Sequence, residues 1–187
     1  MSLTVLLGGA RSGKSSLAVD IGQRHDGPVC FVATAPAIDD DMEQRIERHR
    51  AERPADWMTV DAPIELHDAL GGVHDDALVI IDCLTLWVSN LMYAGRSDDQ
   101  IREAAVAVST LAAERASPVV AVSNEVGMGI HPDTPLGRRY RDVLGWVNQT
   151  WAAASTTSLL LVAGRAIELT DPWHHLDGLR RPDTNRA

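Results

Sequence analysis

The stretch GGARSGKS, residues 8–15, constrains the fold more than any other part of the chain. It follows the apolar run LTVLLGG, residues 3–9, and it leads into the helical pattern KSSLAVDIGQRH, residues 14–25. The spacing G-x-x-x-x-G-K-S between a strand and a helix is that of a P-loop, whose backbone N–H groups converge on phosphate oxygens at the positive end of the helix dipole. We therefore expect a nucleoside triphosphate to bind at this loop.

Two side chains of the loop have predicted roles. Lys14 is expected to reach the outer phosphates, and Ser15 is expected to ligate Mg²⁺. Lys14 is the only lysine among the 17 Lys and Arg residues of the chain, so a composition that favours arginine has a compact ammonium where phosphate binding needs one. The alternative is a glycine turn that only joins a strand to a helix.

Apolar runs alternate with helical patterns along the chain. Strands are predicted at residues 3–9, 28–35, 77–82, 118–126 and 158–164. Helices are predicted at residues 14–25, 39–52, 98–116 and 135–155, with a further helix after Asp82. Continuous apolar strands separated by helices indicate a mostly parallel sheet covered on both faces, so we predict an α/β three-layer sandwich of the RecA-like P-loop NTPase class.

The length of 187 residues fits a single catalytic domain, which we predict over residues 1–169. The tail, residues 170–187, is rich in Pro, Asp and Arg and is expected to be poorly ordered.

A carboxylate ends the apolar run ALVIID. Asp82 stands where a P-loop enzyme needs a carboxylate to hold the water shell of the metal. The alternative is an aspartate that caps the following helix. Asp82 and the P-loop together predict a Mg²⁺-dependent NTPase or kinase, and a Ras-type GTPase is not expected because the sequence has no N-K-x-D motif.

Composition excludes several classes of protein. The net charge of -9 argues against nucleic-acid binding, which depends on an excess of Lys and Arg. The N-terminal apolar run is too short for a signal peptide or a membrane span, so we expect a cytoplasmic protein without stable membrane insertion. Cys30 and Cys83 lie in apolar runs and are expected to be reduced thiols.

One histidine has an unusual setting. His49 is flanked by Arg48 and Arg50, and Arg45 and Arg53 lie four residues away on either side of it. A histidine that attacks a nucleotide α-phosphate would use such guanidinium groups to stabilise developing charge, and they would keep its imidazole neutral. The alternative is a solvated basic turn of helix with the nearby glutamates as partners.

Four stretches of the chain together resemble a known family. They are LGGARSGKSSLA, VATAPAIDDDMEQRIERHRAERPADW, IDCLTLWVSNL and SNEVGMGIHPDTPLGRRYRDVLGWVNQ, in that order between about residues 3 and 169. This pattern resembles the bifunctional adenosylcobinamide kinase / adenosylcobinamide-phosphate guanylyltransferase of cobalamin biosynthesis.

The resemblance implies a two-step enzyme. A nucleoside triphosphate, ATP or GTP, would phosphorylate the terminal hydroxyl of the corrinoid adenosylcobinamide, and GTP would then donate GMP to that phosphate and release pyrophosphate. The second step would pass through a GMP-histidine intermediate, for which His49 is the matching position. Family members form trimers with sites between subunits, so the resemblance also implies a homo-oligomer.

The resemblance further implies a set of nucleotide contacts. These are Gly8, Gly9, Ala10, Arg11, Ser12, Gly13, Lys14, Ser15, Ala33, Thr34, Ala35, Arg50, Ala51, Glu52, Arg53, Asp61 and Asp82. Asp61 departs from the family pattern, in which glutamate is frequent. Asn124 and Glu125 follow a predicted strand and are expected either near the corrinoid or metal site or in a turn.

Two other functions are open from the sequence. One is a P-loop kinase of another small metabolite with a single activity, in which His49 is inert. The other is a RecA-like NTP-binding module that acts on nucleic acid, against which the acidic composition counts.

Overall fold

The structure is a computed structural model that describes residues 2–36 and 53–176. The strands in these ranges are β1 (Leu3–Gly8), β2 (Val29–Ala33), β3 (Met58–Asp61), β4 (Leu78–Asp82), β5 (Val119–Val122), β6 (Thr157–Val162) and β7 (Arg165–Glu168). The helices are α1 (Lys14–Gln23), α2 (Leu66–Gly71), α3 (Leu84–Tyr93), α4 (Asp98–Glu114) and α5 (Pro135–Ala154), followed by a 3₁₀ turn (Pro172–His175).

The described strands form one sheet in the order β3-β2-β4-β5-β1-β6-β7. Neighbouring strands are parallel except at the edge, where β7 pairs antiparallel with β6. The strand that leads into the P-loop therefore lies inside the sheet, between β5 and β6. This architecture confirms the predicted α/β fold with a mostly parallel sheet.

Both faces of the sheet are covered. On one face Val5 and Leu7 join a large core that includes Trp87 of α3, Ile101 of α4 and Trp151 of α5. On the other face a smaller core includes residues of β1 and β2, with Ala18 of α1 buried among them. Because successive strand residues point to opposite faces, burial on both sides requires the continuous apolar runs seen in the sequence.

Helix starts follow local sequence signals. Ser97 caps α4 in a capping box, because its side chain accepts from the Gln100 backbone N–H and the Gln100 side chain accepts from the Ser97 N–H. Thr134 caps α5, and Pro135 follows at the first helical position, where a missing N–H costs nothing. None of the described helices has the length and apolar character needed to cross a membrane.

Three elements were not predicted from the sequence. β3 and β7 are four-residue edge strands whose side chains are largely exposed, so neither carries a continuous apolar run. The helix α2 has only six residues, too few for a clear helical period. The predicted helix at residues 39–52 lies outside the described residues, as does the tail beyond residue 176.

Candidate active site

The P-loop leaves β1 through backbone conformations that favour glycine. Gly8 has φ +148° and Gly13 has φ +101°. A Cβ atom at Gly8 would lie 2.3 Å from the carbonyl oxygen of Leu161 in β6, a distance that no real side chain tolerates. Close packing of the loop against β6 therefore requires glycine at the first position of the motif.

The side chain of Lys14 lies back across the loop. Its Nζ atom donates to the carbonyl oxygens of Gly8 (2.9 Å) and Gly9 (2.7 Å) and to the Ser12 hydroxyl (3.4 Å). Lys14 is only 6% exposed, and this burial lowers its pKa below the usual 10.5, while the acidic groups of Cys83 and Asp82 oppose the shift. The ammonium is thus held over the loop at the carboxyl edge of the sheet, within the electrostatic reach of Asp82.

The carboxyl ends of the strands align the predicted acidic contacts. Asp82 of β4 is in register with Ala33 of β2, and Ala33 is in register with Asp61 of β3. On the other side Asp82 is in register with Val122 of β5. Since parallel strands lie about 4.8 Å apart, these residues form one row across the edge from which the P-loop also emerges.

Thr34 holds the turn that follows Asp82. Its hydroxyl donates to the Cys83 carbonyl oxygen (2.7 Å) and accepts from the Cys83 N–H (2.8 Å). The side chain of Thr34 is fully buried, and its backbone N–H donates to the Asp82 carbonyl oxygen at 3.2 Å. The structure therefore places the Thr34 side chain against the β4 turn, while its neighbour Ala35 is half-buried at the end of β2.

Arg53 is the part of the basic cluster that the structure describes. Its guanidinium carbon lies 3.4 Å from the centroid of the Phe31 ring, in cation–π geometry. Phe31 belongs to the core on the α1 side of the sheet, so Arg53 lies on that side. His49, Arg50, Ala51 and Glu52 lie outside the described residues.

The loop after β5 is bonded to the same edge. The backbone N–H of Glu125 donates to the Gly8 carbonyl oxygen at 3.1 Å, and the backbone N–H of Asn124 donates to Thr85 Oγ1 at 2.7 Å. The Glu125 carboxylate accepts from the Gly127 N–H, which is a turn contact. Both residues thus help to shape the turn, and both lie beside the P-loop.

Some contacts of this edge were missed by sequence reasoning. Gly164, in the β6–β7 turn, donates its N–H to the Ser12 carbonyl oxygen at 3.0 Å. Ala163 and Gly164 both have positive φ, 51° and 72°, as a two-residue hairpin turn requires. The Ala-Gly pair between two apolar runs was the available signal. Thr85 and Asn90 gave none, because each lies inside a helical pattern.

The donor set fits a magnesium ion that is bound together with a nucleotide. Ser15 supplies a hydroxyl and Asp82 a carboxylate, and Mg²⁺ prefers such oxygen ligands, with phosphates and water completing the shell. Within residues 2–36 and 53–176, no group of three or more His, Cys, Asp or Glu side chains could hold a metal. A resident metal cage is therefore absent from the described part.

Two further groups have shifted pKa values, Cys83 directly after Asp82 and Tyr140, which contacts the start of α3. Burial, and then the charge of Asp82, raise the pKa of the Cys83 thiol to about 11. Burial, and then Cys83, raise the pKa of Tyr140 to about 12, and the Tyr140 hydroxyl donates to the Thr85 carbonyl oxygen at 3.2 Å. Both groups are neutral at pH 7, so neither adds a charge to those of Lys14 and Asp82.

Comparison with known proteins gives one family. The family model described as cobinamide kinase / cobinamide phosphate guanyltransferase matches residues 4–169. A bifunctional adenosylcobalamin biosynthesis protein CobP of Pseudomonas aeruginosa is 37% identical over 166 residues, which cover 88% of this chain and 95% of the relative. The protein CobU of Escherichia coli, with the same description, is 38% identical over 181 residues, covering 89% and 99%.

Solved structures share the fold at low identity. An ATPase of a bacterial type III secretion system aligns with a TM-score of 0.56 and 10% identity, covering 94% of this chain and 53% of its own. The protein PH0250 of Pyrococcus horikoshii aligns with a TM-score of 0.55 and 9% identity, covering 89% and 85%. These likenesses establish the P-loop NTPase fold alone.

Proposed function

We propose a two-step reaction cycle for this chain, which belongs to the cobinamide kinase / cobinamide phosphate guanyltransferase family. Both activities in the family's description are assigned to it: phosphorylation of cobinamide and transfer of a guanylyl group to cobinamide phosphate. The specific substrate in this proposal is the corrinoid adenosylcobinamide. The structural observation that carries the proposal is the row of Asp61, Ala33 and Asp82 at the sheet edge from which the P-loop emerges.

In the first step, the terminal hydroxyl oxygen of the corrinoid attacks the γ-phosphorus of ATP or GTP. The bond from that phosphorus to the β–γ bridging oxygen breaks, its electron pair stays on the bridging oxygen of the departing nucleoside diphosphate, and the hydroxyl proton passes to water. Backbone N–H groups of the P-loop bind the phosphates, and Lys14 exchanges its contacts with Gly8 and Gly9 for phosphate oxygens.

Ser15 and Asp82 are the residues that would hold Mg²⁺. When bound, the ion neutralises charge on the phosphate oxygens. The turn after Asp82 is bonded to the loops that follow both neighbouring strands. Thr34, after β2, binds the Cys83 backbone, and the N–H of Asn124, after β5, donates to Thr85. The backbone around the carboxylate is therefore preorganised.

In the second step, an imidazole nitrogen of His49 attacks the α-phosphorus of GTP and pyrophosphate leaves. A phosphate oxygen of adenosylcobinamide phosphate then attacks the same phosphorus, the P–N bond breaks, and adenosylcobinamide-GDP is released. The covalent intermediate divides the reaction into two displacements. The assignment of His49 rests on the family resemblance, and the nearby Arg50 and Arg53 would stabilise the charge that develops on the phosphate.

Labelling with GTP tests this proposal. The protein is incubated with GTP labelled at the α-phosphate and with Mg²⁺, and it is then separated under denaturing conditions. We expect an acid-labile, alkali-stable label that His49→Ala abolishes and that adenosylcobinamide phosphate removes from the wild type. A protein that never acquires label, or a label that persists in His49→Ala, contradicts the histidine intermediate and favours a kinase with a single activity.

A homo-oligomer, specifically a trimer, is part of the proposal. Its support is a set of exposed apolar side chains near the carboxyl edge, among them Tyr93 (84% exposed), Met128 (78%) and Ile130 (96%). Sedimentation of the purified protein should give the mass of three chains, and a monomer mass contradicts it.

We also propose a cytoplasmic location, where nucleoside triphosphates are available and the free thiols Cys30 and Cys83 stay reduced.

A further inference from the structure

The side chain of Asn90 joins two loops at the carboxyl edge. Asn90 lies in α3, the helix that begins at Leu84, just after Asp82. Its Nδ2 atom donates to the carbonyl oxygens of Thr34 (2.8 Å) and Pro63 (2.9 Å). A carboxamide nitrogen carries two hydrogens, so both donors are used, one for each loop.

The two carbonyl oxygens belong to the segments that follow β2 and β3. Thr34 comes directly after Ala33, and Pro63 comes two residues after Asp61. The regular pairing of β2, β3 and β4 ends at Ala33, Asp61 and Asp82. One residue further on, the Ala62 N–H still donates to the Ala33 carbonyl oxygen at 2.7 Å. Asn90 adds a side-chain bond from a third segment at the point where the strand pairing stops.

The hydroxyl of Thr34 makes the complementary contact. It bonds both to the N–H and to the carbonyl oxygen of Cys83, while the carbonyl oxygen of Thr34 accepts from Asn90. Thr34 is thus bonded to the start of α3 by its side chain and to the last turn of α3 by its backbone. The loop after β2 is therefore fixed relative to Asp82 at two points.

We propose that Asn90 and Thr34 form a positioning clamp for nucleotide binding. The clamp holds the backbone that carries Ala33, Ala35 and Asp61 in one arrangement relative to Asp82, so that the nucleotide meets preformed contacts and does not have to order two loops. Neither clamp side chain needs to touch the nucleotide. The inference rests on the proposed function for the assignment of Asp61 and Asp82 as nucleotide contacts, and its energetic basis is that ordering loops on binding lowers affinity.

Trp87 provides a matched control in the same helix. It lies three residues before Asn90, and its Nε1 atom donates to the carbonyl oxygen of Ile64 at 2.8 Å, next to the oxygen of Pro63 that Asn90 binds. The ring is 1% exposed, so Trp87→Phe removes the hydrogen bond and keeps most of the buried volume. Both side chains attach α3 to residues 63–64, whereas Asn90 in addition binds the loop after β2.

The test uses guanosine 5′-(α,β-methylene)triphosphate, a GTP analogue that cannot be cleaved between its α- and β-phosphates. Titration calorimetry compares its dissociation constant, with Mg²⁺, in the wild type, Asn90→Ala and Trp87→Phe. Asn90→Ala should raise this constant about tenfold, as expected when about 1.4 kcal/mol of preorganisation is lost, and Trp87→Phe should leave it within about twofold. In steady state Asn90→Ala should raise KM for the nucleotide more than it lowers kcat. A constant within about twofold of the wild type in Asn90→Ala, or an equal rise in Trp87→Phe, overturns the proposal.

A second substitution decides the matter if Asn90→Ala does not fold. Asn90→Leu keeps the approximate size of the side chain and loses both donors to the Thr34 and Pro63 carbonyl oxygens. It should weaken nucleotide binding about tenfold, and binding within about twofold of the wild type overturns the clamp. Because binding needs no turnover, GMP labelling of the wild type reports separately on the proposed function.

Discussion

Asp61 and Asp82 lie on either side of Ala33, each in register with it, one from β3 and the other from β4. The two carboxylates are thus separated by a single strand at the carboxyl edge of the sheet. Asp82 lies on β4, which only β5 separates from the P-loop strand β1. Asp61 lies on β3, the outermost strand of the sheet, and its side chain is exposed. Asp82 is the carboxylate proposed to hold Mg²⁺, whereas Asp61 is proposed only as a nucleotide contact, so the two should differ in the half-reactions they support.

Asp82→Asn should impair both half-reactions, because the carboxylate proposed to hold Mg²⁺ serves each nucleotide. We expect kcat to fall about 10²-fold and the Mg²⁺ concentration for half-maximal rate to rise. Asp61→Asn should impair mainly GMP labelling. Separate assays of corrinoid phosphorylation and GMP labelling check this, and equal losses in both assays for Asp61→Asn would refute the division of roles.

Lys14 should impose an alkaline limit on phosphoryl transfer. Its pKa lies below 10.5 in the free protein because of burial, so the ammonium is lost at a lower pH than in a free lysine. The profile of kcat/KM against pH, which reports the free enzyme, should therefore have an alkaline decline centred at a pH lower than 10.5. Saturating nucleotide should move this decline to higher pH in the profile of kcat, because phosphates favour the charged form.

Lys14→Ala should lower the kinase rate at least about 10²-fold, and a retained rate would contradict the assignment.

The lowered pKa of Lys14 also makes the stability of the fold depend on pH. Below the folded-state pKa the buried ammonium of Lys14 carries its full desolvation cost, and that cost is relieved as pH rises towards 10.5. Wild-type protein should therefore gain stability relative to Lys14→Met over this alkaline range. Urea unfolding of both proteins at several pH values measures the difference in their free energies of unfolding. If the wild type instead loses stability relative to Lys14→Met as the pH rises towards 10.5, the proposed burial cost is wrong.

Gly8→Ala should destabilise the fold, because its Cβ would meet the Leu161 carbonyl oxygen at 2.3 Å and the residue has φ +148°. We expect a loss of about 2–4 kcal/mol, in the range of severe backbone strain. Gly9→Ala is the control for unfolding, since no atom lies within 4 Å of a Cβ at that position. Thermal unfolding of both variants is the measurement, and equal midpoints would show that the β6 contact is unimportant.

Cys83 should react slowly with iodoacetamide near neutral pH. Burial and the charge of Asp82 raise its pKa to about 11, so the thiolate is a minor species at pH 7. In a Cys30→Ala background, the rate of alkylation should keep rising up to about pH 11. Mass spectrometry of the labelled protein follows the reaction, and a rate that levels off near pH 8.5 would contradict the shift.

The fold could be predicted because its signals are continuous in the chain. The strands β2, β4 and β5 are almost wholly buried on both faces, and β1 nearly so, while β6 is half-buried but contains the apolar run Leu159–Val162. The edge strands β3 and β7 are exposed, and β3 contains Met58, which is 57% exposed. Such strands form because they pair with a neighbouring strand, so their own residues give little sequence signal of a strand.

The site divides in the same way. Lys14 and Asp82 could be predicted because each belongs to a local motif at the end of an apolar strand. Thr34 and Asn90 are 56 residues apart, and their contact depends on how the β2 loop meets the end of α3. No local spacing encodes such a contact, and for Thr34 the family resemblance implied a nucleotide contact without its buried bonds to Cys83.

The position of β1 between β5 and β6 has a consequence for synthesis on the ribosome. The first strand to be made pairs with residues 119–122 and 157–161, and the P-loop that follows it bonds to Gly164. The phosphate cradle at residues 8–15 is thus completed by partners that lie more than 100 residues later in the sequence. During synthesis β1 therefore stays unpaired until residues 119–122 have left the exit tunnel, and the P-loop lacks its bond to Gly164 until the β6–β7 turn has emerged.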